Sequence, residues 1–252
     1  MTRKIALITG ASRGLGRNAA LHLAAAGVDI IGTYRSQAGE AHVVATEIEQ
    51  HGGRAVMLPL DVADSASFGA FAEKLRVTLG ETFGREDLDF LVNNAGIGIH
   101  ASFAETTEEQ FDQLLNIQLK GPFFLTQKLL PLIADGGRIL NVSSGLTRFS
   151  LPGYAAYASM KGAMETLTRY QAKELGARGI AVNILAPGAI ETDFGGGMVR
   201  DNAQLNQQIA SNTALGRVGL PDDIGAVIAT LLSDGGRWIN GQRVEASGGM
   251  FL

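Results

Sequence analysis

Short apolar runs rich in β-branched residues alternate along this chain with longer stretches of helical periodicity. The runs are nearly continuously apolar, as strands buried on both faces are. They lie at residues 5–9, 29–34, 55–60, 88–92, 138–143, 180–185 and 243–246. Because strands that alternate with helices build parallel sheets covered on both faces, the pattern predicts an α/β fold with a doubly wound parallel sheet of about seven strands.

The stretches between these runs have the periodicity of amphipathic helices. They cover residues 14–26, 38–50, 65–79, a double helical region at 107–134, 155–177 and 221–233. Glycines that follow five of these stretches are expected to adopt the left-handed conformation that ends helices: Gly27, Gly52-Gly53, Gly136-Gly137, Gly179 and Gly235-Gly236. Residues 190–216 lack a clean pattern and contain three successive glycines, which favours a mobile flap. Since no linker or repeat interrupts the pattern, residues 1–252 are expected to form one domain.

Composition excludes several classes of protein. Hydrophobic residues make up 46% of the chain and charged residues 18%, which excludes a disordered chain. The absence of cysteine excludes a disulfide scaffold, a zinc–thiolate site and a cysteine nucleophile, and the four histidines lack metal-ligand spacing. A net charge of -4 disfavours nucleic acid and anionic membranes. The lack of cysteine and of metal-ligand spacing predicts no metal site. The N-terminus does not have the pattern of a signal peptide, and no run reaches ~18 apolar residues, so we expect a cytoplasmic protein.

The first predicted strand leads directly into a glycine-rich loop, and a predicted helix follows. Gly10, Gly14 and Gly16 form a GxxxGxG arrangement. In dinucleotide-binding folds such glycines permit a tight turn, close approach of a pyrophosphate and close packing of helix on strand, while the helix N-terminus attracts the anion. The loop lacks the Gly-Lys-Ser/Thr ending of a P-loop. The alternative is that the glycines only make a sharp turn between strand and helix.

The end of the second predicted strand favours NADP(H) over NAD(H). An NAD site places an acidic residue there, against the ribose 2′-hydroxyl. Between Val28 and Gly39 the only acid is Asp29, at the start of the strand, whereas Arg35 follows its end and Arg13 lies in the glycine loop. Two guanidinium groups suit a 2′-phosphate, although both arginines could instead be solvated surface residues.

Tyr157 and Lys161 are four residues apart in a predicted helix and therefore share one face. A nearby ammonium group is expected to lower the pKa of the phenol, which would let Tyr157 donate a proton to a carbonyl that receives hydride. Ser144 follows the fifth predicted strand. Ligands of parallel sheets bind at the carboxyl ends of the strands, so Ser144 is placed to hydrogen-bond the substrate oxygen.

Taken together, these motifs resemble the short-chain dehydrogenase/reductase family, and the resemblance covers the whole chain. The motifs are TGASRGLG at 9–16, Asp61-Val62, NNAG at 93–96, Asn116 in NIQLKG, Ser144, YASMK at 157–161 and PGAIETD at 187–193. The family consists of nicotinamide-dependent oxidoreductases, usually tetrameric. The resemblance implies a Rossmann-like sheet with strand order 3-2-1-4-5-6-7.

The resemblance also implies a catalytic tetrad of Asn116, Ser144, Tyr157 and Lys161. Tyr157 would be the acid and base, and Ser144 would orient the carbonyl. Lys161 would bind the nicotinamide ribose and lower the tyrosine pKa, while Asn116 would hold a water that feeds protons to Lys161. Gln118 stands where many members have a second asparagine.

The cofactor and substrate contacts are predicted partly from the loops and partly from the resemblance. Asp61 is expected near the adenine, the 93–96 loop along the cofactor, and residues 187–192 at the carboxamide. The predicted NADPH/NADP+ contacts are Gly10, Ser12, Arg13, Gly14, Leu15, Gly16, Arg35, Ser36, Asp61, Val62, Asn93, Ala95, Gly96, Tyr157, Lys161, Pro187, Gly188, Ile190 and Thr192. The predicted substrate contacts are Gly145, Leu146 and Tyr154, and His100 is a candidate for the mouth of the substrate site.

The sequence therefore predicts reversible NADPH-dependent reduction of a ketone or aldehyde by a homotetramer. The pattern is nearest to 3-oxoacyl-[acyl-carrier-protein] reductases, but residues 130–137 lack the basic side chains that an acidic carrier protein needs. Arg169 and Lys173 keep that alternative open, and free small ketones, aldehydes or quinones are the preferred substrates. A non-catalytic NADP-binding sensor is a third hypothesis, disfavoured because the whole tetrad is present.

Overall fold

The computed structural model describes residues 3–252, which form one seven-stranded sheet with helices on both faces. The strand order is β3-β2-β1-β4-β5-β6-β7, and every neighbouring pair is parallel. The predicted fold class and strand order are confirmed. The strands are β1 Ile5–Ile8, β2 Asp29–Tyr34, β3 Ala55–Pro59, β4 Leu88–Asn93, β5 Ile133–Val142, β6 Ala181–Pro187 and β7 Arg243–Ala246.

Nine α-helices connect and flank the strands of this described region. They are α1 Gly14–Ala25, α2 Ala38–Gln50, α3 Phe68–Thr78, α4 Glu108–Leu115, α5 Gly121–Leu129, α6 Ala155–Leu175, α7 Met198–Asp201, α8 Ala203–Ser211 and α9 Pro221–Leu232. A π-helical turn, Asn116–Lys120, joins α4 to α5. Within residues 3–252 no helix is both long enough and apolar enough to span a membrane.

Two hydrophobic cores cover the two faces of the sheet, and alternate residues of β1 belong to different cores. Ile5 and Leu7 pack with residues from α3, α5 and α6. Ala6 and Ile8 pack with residues from α1, α2 and α9. Because both faces of the central strands are buried, those strands read as continuous apolar runs, whereas the edge strand β7 is only half-buried.

The order of the strands reverses direction between β1 and β4, which lie side by side in the sheet. The connections from these two strands leave toward opposite sides, so a crevice opens beyond their carboxyl ends. The glycine loop follows β1 and the 93–96 loop follows β4, which places both at this crevice. The fold therefore brings the two predicted cofactor loops together.

Several predicted boundaries were wrong. Strand β5 begins at Ile133 rather than at residue 138, because Ile133 pairs with Leu88 before a shift in register. Gly136 has a left-handed φ of 76° but lies inside β5, not between a helix and a strand. Gly235 and Gly236 lie in a 3-10 turn without positive φ, whereas Gly27, Gly52 and Gly179 have the expected left-handed conformation.

The segment predicted to be a patternless flap contains regular structure. It forms a 3-10 turn at Phe194–Gly197 followed by α7 and α8. The side chain of Asn202 caps α8 by accepting from the amide of Leu205 at 3.0 Å, and Asn206 donates to Glu191 at 2.7 Å. Helices of four and nine residues are too short to give a clear periodicity, which is why the sequence did not indicate them.

Candidate active site

The glycine loop is built so that side chains would not fit at two of its glycines. A Cβ on Gly10 would lie 3.1 Å from the Cα of Ala95, and a Cβ on Gly16 would clash with the carbonyl of Gly10. Gly10 and Gly14 also have φ values of 68° and 55°, which favour glycine. The loop therefore brings bare backbone to the crevice, as the sequence predicts.

Two residues outside the predicted set tie the glycine loop to the loop after β4. The hydroxyl oxygen of Thr9 accepts from the amides of Asn94 and Ala95 at 3.0 Å each. The side chain of Asn94 donates to the carbonyls of Thr9 at 2.9 Å and Gly10 at 3.3 Å. The side chain of Asn94 therefore fixes the geometry of both cofactor loops.

Asn93 differs from the expectation that it lines the cofactor. Its side chain is buried and donates to Thr126 at 3.0 Å and to Asn141 at 2.9 Å. Asn141 in turn donates to Thr168 and Gln171. Because these partners come from β5, α5 and α6, the Asn93 side chain joins a polar network inside the fold rather than the crevice wall.

The N-terminus of α1 has the features of an anion site. Arg13 occupies the N-cap position, but its side chain makes no capping hydrogen bond, so the first amides of the helix have no side-chain cap. Ala11 donates to the carbonyl of Thr33 at 2.8 Å, which places the glycine loop beside the end of β2. Arg35 and Ser36 follow that end and are exposed, as Arg13 is. Arg13 and Arg35 therefore both belong to loops at this edge of the sheet.

The remaining predicted cofactor residues line the same edge. Ser12 and Leu15 are half-buried within the loop, and Val62 is buried. The carboxylate of Asp61 accepts from the amide of Ala63 at 2.9 Å and is otherwise exposed. These residues extend the crevice from the glycine loop toward β3.

The segment after β6 closes the crevice from the other side. Gly188 donates to the carbonyl of Ala246 at 3.0 Å, and a Cβ there would lie 2.8 Å from the Cα of Ser247. Pro187 ends β6, and Ile190 makes a parallel bridge with Gly219. Thr192 is buried and lies next to Gly14. The 187–192 segment therefore borders the glycine loop through Thr192 and Gly14, while its predicted contact with the carboxamide stays a prediction.

Tyr157, Lys161 and Ser144 meet beyond the carboxyl end of β5. Tyr157 and Lys161 lie on α6 and are buried. The ammonium nitrogen of Lys161 donates to the carbonyl of Val142 at 2.8 Å and lies 5.6 Å from the centre of the Tyr157 ring. The Ser144 hydroxyl lies close enough to the phenol of Tyr157 to lower its pKa and accepts from the amide of Leu146 at 3.2 Å.

Burial dominates the protonation of this pair. Burial raises the pKa of Tyr157 above its ordinary value, and the nearby Ser144 hydroxyl opposes part of that rise. Burial lowers the pKa of Lys161 to about 7. In the chain by itself the net shift is upward, because burial removes the solvation of the phenolate; the lowering of this pKa by Lys161 stays a prediction. The phenol is therefore held in its protonated form.

Asn116 begins the π-helical turn between α4 and α5, and its carbonyl accepts from the amide of Gly121. Helix α6 packs against this turn. Two residues on, the buried side chain of Gln118 donates to the carbonyl of Ile97, and its oxygen has no hydrogen-bond partner within residues 3–252. A Cβ on Gly96 would lie 2.8 Å from that oxygen, so Gln118 packs directly beneath the loop after β4.

Two aromatic rings pack near Tyr157 and a third packs on one of them, and we call these three residues, His100, Tyr154 and Phe194, the aromatic mouth. The ring of Tyr154 is 6.4 Å from Tyr157 and 5.1 Å from His100 between centres. Phe194 approaches Tyr157 to 5.9 Å. Among the predicted substrate residues, Gly145 and Leu146 form the adjoining 3-10 turn. Phe194 was not predicted, because its place depends on the unexpected turn at Phe194–Gly197.

Comparisons with known proteins match nearly the whole chain. A family model described as enoyl-(acyl carrier protein) reductase matches residues 10–251. A tetrahydroxynaphthalene reductase of Pestalotiopsis fici is 36% identical over 98% of this chain and 91% of its own length. The crystal structure of the angucycline C-6 ketoreductase LanV with bound NADP has a TM-score of 0.94 and 38% identity, covering 99% of this chain and 96% of that one. The reductase LugOII, which catalyses keto-reduction at C1 during lugdunomycin biosynthesis, has a TM-score of 0.93 and 39% identity, covering 98% and 97%.

Proposed function

The chain belongs to the short-chain dehydrogenase/reductase family, and on this premise we propose that it reduces the carbonyl group of a ketone or aldehyde to an alcohol with NADPH. The observation that carries the proposal is the meeting of Ser144, Tyr157 and buried Lys161 beside the glycine loop's crevice. The class, an NADP-dependent oxidoreductase acting on C=O and CH–OH groups, is also that of its relatives.

The crevice residues fit NADPH. The uncapped N-terminus of α1 and the bare backbone at Gly10 and Gly16 suit the pyrophosphate, and Arg13 and Arg35 suit a 2′-phosphate. Asp61 and Val62 would hold the adenine, and Pro187, Gly188, Ile190 and Thr192 the carboxamide. When bound, NADPH supplies the hydride that reduces the carbonyl carbon.

In this mechanism Tyr157 supplies the proton. Its phenol donates a proton to the carbonyl oxygen as that oxygen gains negative charge. The raised pKa of Tyr157 keeps the phenol protonated, which is the form that reduction requires. Ser144 donates a hydrogen bond to the same oxygen and fixes its position relative to Tyr157.

Lys161 and Asn116 would restore the proton. With a pKa of about 7, Lys161 can both give and accept a proton near neutral pH. Its ammonium is held by the carbonyl of Val142 and would also bind the nicotinamide ribose. Asn116, at the start of the π-helical turn packed against α6, would hold the water that returns a proton from solvent to Lys161.

For the substrate, the aromatic mouth favours a ketone on or next to an aromatic ring. Rings pack well against one another edge to face. Tyr154 and Phe194 lie next to Tyr157, and His100 lies next to Tyr154. Relatives are named as acting on hydroxynaphthalenes and angucyclines, which are fused-ring compounds. A carrier-bound 3-oxoacyl chain remains the alternative, since Arg169 and Lys173 are exposed on α6.

A substrate panel with NADPH tests the proposal. The panel contains α-tetralone and a naphthoquinone as aromatic compounds, ethyl acetoacetate as a small keto ester, and an acetoacetyl thioester as the carrier mimic. We expect the highest kcat/KM with the aromatic carbonyls. Highest activity with the thioester would favour the carrier-bound alternative, and no oxidation of NADPH with any carbonyl would overturn the enzymatic proposal.

We also propose that the described chain acts as one catalytic domain within a homotetramer. An apolar groove of about 680 Å³ lies between α5 and α6. Phe123, Phe124 and Tyr170 line it and expose large parts of their rings. A second copy of this groove would cover those rings, because symmetric pairing places the same patch on both subunits.

A further inference from the structure

Glu165 connects the helix that carries Tyr157 to the loop that carries Ser144. It lies on α6 one turn after Lys161 and two turns after Tyr157, so the three side chains share one face. One oxygen of its carboxylate accepts three hydrogen bonds, from Ser143 at 2.7 Å, Thr147 at 2.6 Å and Arg243 at 2.8 Å. A single atom of α6 thereby joins the residue after β5, the following turn and β7.

Two of the residues that donate hydrogen bonds to Glu165 flank Ser144 in the chain. Ser143 precedes it, and Thr147 closes the 3-10 turn that begins after it. The carbonyl of Ser144 accepts from Arg243 at 3.4 Å, and it lies 2.9 Å from the Thr147 hydroxyl, whose single hydrogen it shares with the Glu165 carboxylate. Glu165 thus fixes Ser143 and Thr147, which flank Ser144 in the chain.

The charges that hold this arrangement are only partly solvated. The side chain of Glu165 is 15% exposed and that of Arg243 is 24% exposed. Arg243 also pairs with Glu245 at 2.8 Å, and Glu245 pairs with Arg148 at 2.7 Å. Because a half-buried charge that loses its partner is costly, the chain of alternating charges fixes the Glu165 carboxylate in one position.

We propose that Glu165, fixed by Arg243, is a positioning residue that sets the hydroxyl of Ser144 against the phenol of Tyr157. Glu165 acts through Ser143 and Thr147 and through its place on α6. The inference rests on the proposed function of Ser144 and Tyr157. Its effect on rate follows from geometry, since a displacement of about 1 Å in a reacting group can cost about 100-fold in rate.

A double-mutant cycle with Ser144 tests this role. We expect Glu165→Ala to lower kcat about 10- to 100-fold, because it displaces reacting groups, and to leave the KM for NADPH unchanged. Two residues that act as a unit lose their common effect only once. In the Ser144→Ala background, Glu165→Ala should change kcat little further. Glu73→Ala, which removes an exposed carboxylate from α3 that pairs with Arg76, is the control and should keep full activity.

The pH profile of alcohol oxidation gives a second readout. Oxidation of the alcohol needs Tyr157 deprotonated, so the pKa of Tyr157 sets the acidic, rising limb of the kcat profile. Because Ser144 lowers that pKa, Glu165→Ala should move the acidic limb to higher pH, as Ser144→Ala should. Glu165→Gln keeps an acceptor for Ser143 and Thr147 but not the charge for Arg243. It should fall between wild type and Glu165→Ala, and it takes the place of Glu165→Ala in the cycle if that variant does not fold.

Failure of the inference is separable from failure of the proposed function. A wild-type protein without carbonyl reduction, or a fully active Tyr157→Phe variant, contradicts the proposed function. The inference alone is overturned if the wild type is active but Glu165 variants keep wild-type kcat. It is equally overturned if they lower kcat by the same factor with and without Ser144.

Discussion

The ammonium nitrogen of Lys161 donates a 2.8 Å hydrogen bond to the carbonyl oxygen of Val142, the last residue of β5. This contact anchors the side chain at the carboxyl edge of the sheet, next to Tyr157 and Ser144. One carbonyl replaces only part of the water that an ammonium group loses on burial. The charged form is therefore disfavoured, and the pKa of Lys161 falls to about 7.

Burial of Lys161 should lower the free energy of unfolding at neutral and acidic pH. Its pKa is about 7 in the folded chain against 10.5 ordinarily, so between these values the unfolded state binds more protons and stability rises with pH. The cost is complete below pH 7 and disappears above 10.5. Without added cofactor, Lys161→Met should melt several °C above wild type at pH 6, since each 1 kcal/mol shifts the Tm of a chain of this size by about 2–4 °C. The gap should narrow toward pH 10 and close above pH 10.5, as measured by thermal denaturation. A variant that melts lower at pH 6 would contradict this account.

Removal of the phenol oxygen should separate chemistry from binding. We expect Tyr157→Phe to lower kcat by about 100- to 10,000-fold, the range of a lost general acid, while the Kd for NADPH stays near that of wild type. Steady-state kinetics and NADPH fluorescence titration measure the two quantities. Tyr170→Phe removes the same atom from an exposed ring that is 64% accessible and should keep its activity. Equal activity of both variants would sink the proton-donor role.

The sheet and the glycine loop were predictable because their signals are local. Burial on both faces leaves an apolar run at each central strand, and the turn after β1 requires glycine at Gly10 and Gly16. The fixed order of strands and helices then places the loop ends together.

Other parts of the site depend on contacts between distant residues. The three hydrogen bonds to Glu165 join residues 18 to 78 positions apart, and no spacing rule indicates them. The direction of the pKa shift of Tyr157 depends on how completely the fold buries it. Asn93 and Asn94 are adjacent and chemically identical, so only the structure distinguishes the core side chain from the one at the glycine loop.

Charge reversal at Arg35 should change the choice of cofactor. A charge-assisted hydrogen bond to phosphate is worth about 1.5–3 kcal/mol, so Arg35→Asp should lower kcat/KM for NADPH about 10- to 100-fold relative to that for NADH. The ratio of kcat/KM with the two cofactors measures the effect. Lys74→Asp, an exposed charge reversal on α3, should leave the ratio unchanged. If Arg35→Asp leaves it unchanged too, the 2′-phosphate role is wrong.

Loss of the Phe194 ring should weaken binding of aromatic substrates selectively. The ring lies 5.9 Å from that of Tyr157, and an aromatic pair is worth about 0.5–1.5 kcal/mol, so Phe194→Ala should raise the KM for α-tetralone about 3- to 10-fold. The KM for ethyl acetoacetate should change much less. Phe103→Ala removes a ring that is 87% exposed and is the control. A uniform rise in both KM values would show that Phe194 shapes the site without selecting rings.

The groove between α5 and α6 should determine the assembly of the protein. Tyr170 and Phe124 line the groove and are exposed in the single chain, so a second copy that covers them would bury any charge placed there. Since loss of a central aromatic contact costs about 2 kcal/mol or more, Tyr170→Glu and Phe124→Glu should shift the protein to a smaller species in light scattering after size-exclusion chromatography. Val43→Glu places the same charge on an exposed position of α2, outside the groove, and should keep the wild-type mass. A wild-type protein that is already monomeric, or groove variants that keep the wild-type mass, would show that the rings serve another purpose than pairing of subunits.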